Sequence, residues 1–202
     1  METDNCVRRI GIFGGSFDPV HQGHLIIAEM AREQFHLGKV FFVPAFTSPF
    51  KRATRAAGSQ RLAMVKLAIA GQPAFQVSAV ELEQPGPSYT YETAIYFRKQ
   101  FPAARLFFLL GEDAFSELDR WYRVAQLCRL VTFLVAPRSR ENFCLPRGLK
   151  VKYRRISSPL IDISATLIRQ RCRQGKSVRY LVPDSVYLYL KKERLYGLGK
   201  NS

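Results

Sequence analysis

The chain alternates between short apolar runs and longer segments in which apolar residues recur every three or four positions. The run at 7–13, with Ile10, Ile12 and Phe13, predicts a first buried strand. Residues 23–36 carry Ile27, Met30, Ala31 and Phe35 at helical spacing and predict a helix ended by Gly38. A second strand is expected at 40–43, then a loop over 44–57. Ser59 reads as the cap of a helix with apolar positions at Leu62, Met64, Val65, Leu67 and Ala68. Residues 75–77 predict a third strand, 84–88 a rigid turn, and Tyr89 the start of another helix. The continuous apolar run at 105–110 suits a central parallel strand. A further strand is expected at 130–135, a loop at 137–150, and an edge strand at 151–156, where apolar and basic residues alternate. Ser164 is placed to cap a helix, and 183–195 predicts a last helix with Val186, Tyr187 and Leu190 inward. Residues 197–202 read as a loose tail. Alternation of strand and helix to about residue 175 predicts an α/β fold, a mostly parallel sheet with helices on both faces. Residues 1–202 show no linker or repeat and read as a single domain.

The chemistry concentrates between the first strand and the first helix, at Gly14-Gly15-Ser16-Phe17-Asp18-Pro19-Val20-His21-Gln22-Gly23-His24. In an open α/β sheet this corner lies at the carboxyl end of a strand, where ligands bind. The glycines let the backbone approach a ligand with N–H groups free. The helix beginning near Gln22 points its positive end at the same place. His21 and His24, three residues apart, fall on one helix face. Together these groups describe a site for an extended polyphosphate. Zinc is the competing reading of His-x-x-His, disfavoured because His36 is the only other histidine and no Cys lies nearby.

Three other places offer matching chemistry. Gly111-Glu112-Asp113 forms a second glycine corner, where Asp113 can accept bonds from ribose hydroxyls or cap the following helix. Ser164, Thr166 and Arg169 gather a cap, a hydroxyl and a guanidinium at one helix start, with Arg173 continuing the face. Trp121, flanked by Arg120 and Tyr122-Arg123, can stack on a base or a pyridine ring, or belong to the core. Lys51, Arg52 and Arg55 in the second-strand loop can reach the same crevice.

Charge then narrows the partners. The 202 residues hold 31 Lys and Arg against 16 Asp and Glu, a net +15. From Arg147 onward there are 14 basic and 3 acidic residues, so this last stretch carries most of the excess. Such a surface attracts polyanions. A nucleic-acid partner is disfavoured by the absence of an RNA-binding signature, and a membrane by the lack of any long apolar run. The N-terminus lacks a signal-peptide pattern, and four scattered cysteines read as free thiols in the cytoplasm. Self-association is left open.

Gly-Gly-Ser-Phe-Asp-Pro-Val-His-x-Gly-His-Leu at 14–25 resembles the signature of the nucleotidylyltransferase superfamily, and Ile163-Ser164-x-Thr166-x-x-Arg169 resembles its second signature. The resemblance covers nearly the whole chain and implies a Rossmann-like, doubly wound sheet of the His-x-Gly-His type. Pro87-Ser88-Tyr89-Thr90-x-x-Thr93 and the Gly-x-Asp followed by Trp121-Tyr122 are similar to the nicotinate-nucleotide branch. That branch implies adenylyl transfer from ATP to nicotinate mononucleotide, giving deamido-NAD and pyrophosphate. His21, His24 and Arg169 would then be catalytic. ATP would lie against Gly14, Gly15, Ser16, Phe17, His21, His24, Gly111, Asp113, Ala136, Ser164, Thr166 and Arg169. Nicotinate mononucleotide would lie against Ser16, Phe17, Lys51, Thr90, Trp121 and Tyr122. Mg²⁺ would be held by the ATP phosphates, with no protein metal site. Phe50 stands where the superfamily usually has His, which leaves a catalytically inactive relative as one alternative. A sister enzyme with another acceptor, such as nicotinamide mononucleotide or phosphopantetheine, is another.

Overall fold

A computed structural model describes residues 8–47, 53–138, 145–146 and 148–198. Among these residues six strands form one sheet: β1 Arg9–Gly15, β2 Lys39–Pro44, β3 Phe75–Val77, β4 Arg105–Gly111, β5 Val131–Ala136 and β6 Tyr153–Arg155. Seven helices accompany them: α1 Gln22–Gln34, α2 Gly58–Ile69, α3 Thr90–Gln100, α4 Glu112–Ser116, α5 Val124–Leu130, α6 Ala165–Arg173 and α7 Asp184–Lys192. Every strand pairing is parallel, in the order β3-β2-β1-β4-β5-β6. This is the doubly wound arrangement, with its switch point between β1 and β4. Among the described residues no helix is long and apolar enough to cross a membrane.

Two cores sandwich the sheet. Phe13, Leu109 and Leu134 face one that also holds Val186 and Leu190 of α7, while Ile12, Phe108 and Phe133 face the other, with Phe97 of α3 and Leu127 of α5. Alternating strand residues thus serve opposite faces. On α1 the fully buried residues are Ala28 and Ala31, whereas Ile27, Met30 and Phe35 are partly buried. Small residues on the contact line let α1 lie close to the sheet, and the larger ones flank it.

Several boundaries differ from expectation. β1 extends to Gly15, because β2 continues to pair with it through Gly15 and Pro44. Ser59 is not the cap of α2; Ala57 stands there, and its N–H donates to the Gln60 side-chain carbonyl at 3.0 Å. Helix α5, unmarked by the sequence reading, brings Leu127 and Cys128 into the core. The edge strand is real but shorter than expected, at Tyr153–Arg155. Gly197 and Leu198 are not a loose tail: a 3-10 turn spans Leu195–Gly197, and Leu198 is buried. Cys128 and Cys172 are buried free thiols, whereas Cys6 and Cys144 lie outside the described residues.

Candidate active site

The crevice opens where β1 and β4 part. The β1–β4 ladder ends at Phe13 and Leu109, while β1 keeps β2 to Pro44 and β4 keeps β5 to Ala136. Beyond that point the two strands diverge, and Gly14, Gly15 and Gly111 border the gap. The glycines at β1 are there for packing as well as access. A Cβ on Gly14 would come within 3.1 Å of the Phe108 ring, and one on Gly15 within 3.1 Å of Phe17. Ser16 is half-buried, and its carbonyl accepts from Arg61 at 2.8 Å. Phe17 adopts a left-handed backbone and sinks its ring among Phe13, Phe42 and His24. Any contact of Phe17 with a ligand therefore comes from its main chain.

His21 occupies the N-cap of α1. The two imidazoles do share a face: their rings stack with centroids 3.6 Å apart. They are not equivalent. The His21 N–H donates to His24 Nδ1 at 3.2 Å, which leaves the ring proton of a neutral His24 on Nε2. His21 is buried, and burial together with the Arg138 cation lowers its pKa from 6.5 to about 4. It is neutral near pH 7, and its buried Nδ1 has no hydrogen-bond partner among the described residues. The glycine between them matters: a Cβ on Gly23 would sit 3.2 Å from His21 Nδ1 and 3.3 Å from Ile161. Gly23 leaves room for the His21 ring to lie over the first turn.

Helix α6 delivers the second motif to the first. Ser164 caps it, accepting the Leu167 N–H at 3.1 Å. Arg169 donates to Thr166 Oγ1 at 3.1 Å and to the Asp18 carbonyl at 2.7 Å. Behind this contact lies a polar cluster that the sequence reading missed. The buried Asp18 carboxylate accepts N–H groups of Arg55 at 2.8 Å and Ala56 at 3.0 Å, and the Tyr196 hydroxyl at 2.7 Å. Burial and Asp18 push the Tyr196 phenol far above its usual pKa, so it stays a donor. Arg61, fully buried, reaches the Ser16 and Ala56 carbonyls. One signal was available: Arg61 lies at helical spacing with the buried Met64, Val65 and Ile69.

At the β4 corner the two acids have different settings. Asp113 is exposed and lies 3.4 Å from Arg138 Nε. Glu112 is the buried one, accepting the Arg138 N–H at 2.8 Å and Arg155 Nη2 at 3.0 Å. Ala136 ends β5 in register with Gly111 and is buried. Arg138, which the sequence reading did not single out, reaches from this loop toward both corners.

Thr90 opens α3 and is half-buried. Thr93 is buried, and its hydroxyl is taken by Glu81 at 2.5 Å. Trp121 packs edge-on against Phe108 at 6.0 Å, so one ring links it to the backbone at Gly14. Tyr122 is exposed and packs on Tyr89 at 4.6 Å, and the Arg123 guanidinium lies 5.1 Å from the Tyr122 ring. Lys51 and Phe50 lie outside the described residues. Among the described residues no group of three His, Cys, Asp or Glu side chains could hold a metal.

The cytidylyltransferase-like family pattern matches residues 12–171. A probable nicotinate-nucleotide adenylyltransferase of Oceanobacillus iheyensis is 37% identical over 195 residues, covering 96% of this chain and 100% of its own. One of Synechococcus sp. (strain JA-3-3Ab) is 41% identical over 196 residues, covering 94% and 95%. Among solved structures, nicotinic acid mononucleotide adenylyltransferase of Plasmodium falciparum, complexed with NaAD, shares the fold with a TM-score of 0.75 at 19% identity, over 95% of this chain and 98% of that one. The chain belongs to the cytidylyltransferase-like family and, within it, to the nicotinate-nucleotide adenylyltransferases.

Proposed function

We propose that the protein transfers the adenylyl group of ATP to nicotinate mononucleotide, releasing pyrophosphate and forming deamido-NAD in NAD synthesis. Near full-length identity of 37% to 41% with proteins of that name carries the reading. The attacking group is a phosphate oxygen, anionic near pH 7, so the protein need supply no general base. Its task is to align two anions and neutralise charge developing at the α-phosphate. His24, with Nε2–H as donor, and the main chain at 14–17 act there. Neutral His21, Thr166 and Arg169 take the departing β- and γ-phosphates. Asp113 and the main chain at Gly111 and Ala136 place the adenosine. Thr90, Trp121, Tyr122 and Lys51 place the nicotinate nucleotide. The Asp18 carboxylate is occupied by three donors and offers no ready cation site. Mg²⁺ held on the ATP phosphates would supply charge neutralisation there when bound. The buried free thiols of Cys128 and Cys172 suit a reducing compartment, and we place the protein in the cytoplasm.

The test is pyrophosphate release from ATP and Mg²⁺ with nicotinate and nicotinamide mononucleotides compared side by side. A strong preference for the nicotinate form is expected. Turnover with neither, by folded protein, would discard the assignment.

A further inference from the structure

At the opposite end of the strands from the crevice lies a groove of about 500 Å³, lined by Arg9, Arg105, Phe107, Thr132, Lys152 and Arg154 among others. Register shows how it is assembled. Arg9 pairs with Arg105, Phe107 with Thr132, and Leu134 with Arg154. Alternation along each strand then puts Arg9, Arg105, Phe107, Thr132, Lys152 and Arg154 on one face of the sheet. Further up that face, Phe13, Leu109 and Leu134 carry the core. At the strand starts the same face gathers four cations, three of them exposed and Arg9 half-buried. Arg105, Lys152 and Arg154 are exposed, and Phe107 and Phe35 beside them are half-buried.

No described acidic side chain neutralises these cations. Among the described residues no Asp or Glu lines the groove, and none of the four cations makes an ion pair. Arg9 donates to the Phe35 carbonyl and Arg154 to the carbonyl of its own neighbour Tyr153, so their charges remain. Arg9 and Arg105 sit directly opposite each other on adjacent strands, a like-charge pairing that destabilises a sheet unless an anion relieves it.

We propose that this groove binds single-stranded nucleic acid. The cations spread from β1 to β6, three inter-strand steps or about 14 Å. That span exceeds a single phosphate group and matches a short run of about two to four nucleotides, which rise about 3.4 Å each when stacked and roughly twice that when extended. The half-buried Phe107 and Phe35 give the floor an apolar, aromatic character, which suits bases, and β6 is an edge strand, so the chain can run out of the groove. No sequence signature announces the site, because its cations come from positions 9, 105, 152 and 154 and meet only in the sheet. The proposal does not depend on the adenylyl transfer chemistry.

The experiment is fluorescence anisotropy of an end-labelled oligouridylate of about 12 nucleotides, with the crevice filled by a non-hydrolysable ATP analogue. Binding is expected at about 50 mM salt, with log K falling against log salt at a slope near about −3 for four cations. R105A/R154A should weaken binding by about tenfold or more and roughly halve that slope, while kcat/KM for adenylyl transfer stays unchanged. K152Q/R154Q, confined to the exposed edge strand and the residue before it, gives the same readout should the first variant fold poorly. Absence of binding, binding that neither variant alters, displacement by the ATP analogue, or equal binding of polyglutamate would each overturn the assignment. The last result would point to an acidic protein segment instead.

Discussion

Arg169 donates to the carbonyl oxygen of Asp18 at 2.7 Å, across 151 residues of chain. This bond seats the start of α6 on the loop that follows β1, and the same guanidinium holds Thr166. A planar fork is needed to serve both at once while facing the crevice. Arg169→Lys keeps the charge but not the fork. It should fold normally and lower kcat by about tenfold or more. Steady-state kinetics beside a melting curve checks this; a fully active lysine variant would reduce the role of Arg169 to charge alone.

His24 is only half-buried, and its ring is oriented by the His21 N–H. His24→Ala should therefore cost about 100-fold to 1,000-fold in kcat, the range for removing one oriented donor from a developing oxyanion. The urea midpoint should barely move. Activity that declined only in step with unfolding would sink the assignment.

His21 links stability to pH. Its native pKa is near 4 against 6.5 for the free side chain, so between those values the folded ring is neutral while the unfolded chain takes up the proton. Its contribution is complete above pH 6.5 and is lost as pH falls toward 4. At about 1.4 kcal/mol per unit this amounts to about 3 kcal/mol. The stability gap between wild type and His21→Asn, measured by urea unfolding, should shrink by that order from pH 7 to pH 4. A gap independent of pH would contradict a buried neutral imidazole.

The Asp18 cluster is structural support for the loop. Tyr196→Phe removes one donor from a buried carboxylate and should cost about 1–3 kcal/mol. Arg61→Met keeps the volume but deletes a buried cation beside Asp18 and should cost about 3–5 kcal/mol. Denaturant unfolding measures both. If these losses were absent, the carboxylate would not depend on Tyr196 and Arg61.

Glu81 holds the turn before α3. Its carboxylate accepts from Thr93, while Ser88 Oγ accepts the Phe46 N–H and the Ser88 N–H donates to the Thr47 carbonyl. Burial raises the Glu81 pKa, opposed by its bonds to the Thr93 and Ser88 hydroxyls. Glu81→Ala should raise KM for nicotinate mononucleotide about tenfold, about 1.4 kcal/mol of lost positioning, without changing KM for ATP. An equal rise in both constants would instead indicate general loosening of the fold.

Much of this was legible in the chain. The apolar run of β4 marked a central strand, since a parallel strand is buried on both faces. The Gly-Gly corner, the three-residue spacing of His21 and His24 and the Ser164 cap are local features, set by residues close in sequence. The same locality hid α5, whose seven residues contribute only Leu127 and Cys128 to the core and so carry little periodicity.

The alternation of elements, the two motifs and the positive charge are all properties of the linear chain. Which charges meet was settled by folding. Asp18 gained Tyr196, Arg61 and Arg169 from three distant segments, and Arg138 came within electrostatic reach of His21. Arg9, Arg105, Lys152 and Arg154 became one surface through strand register. The physical reason is range: capping and periodicity act within a turn or two, whereas Coulomb and desolvation terms depend on which groups the fold brings close and removes from water.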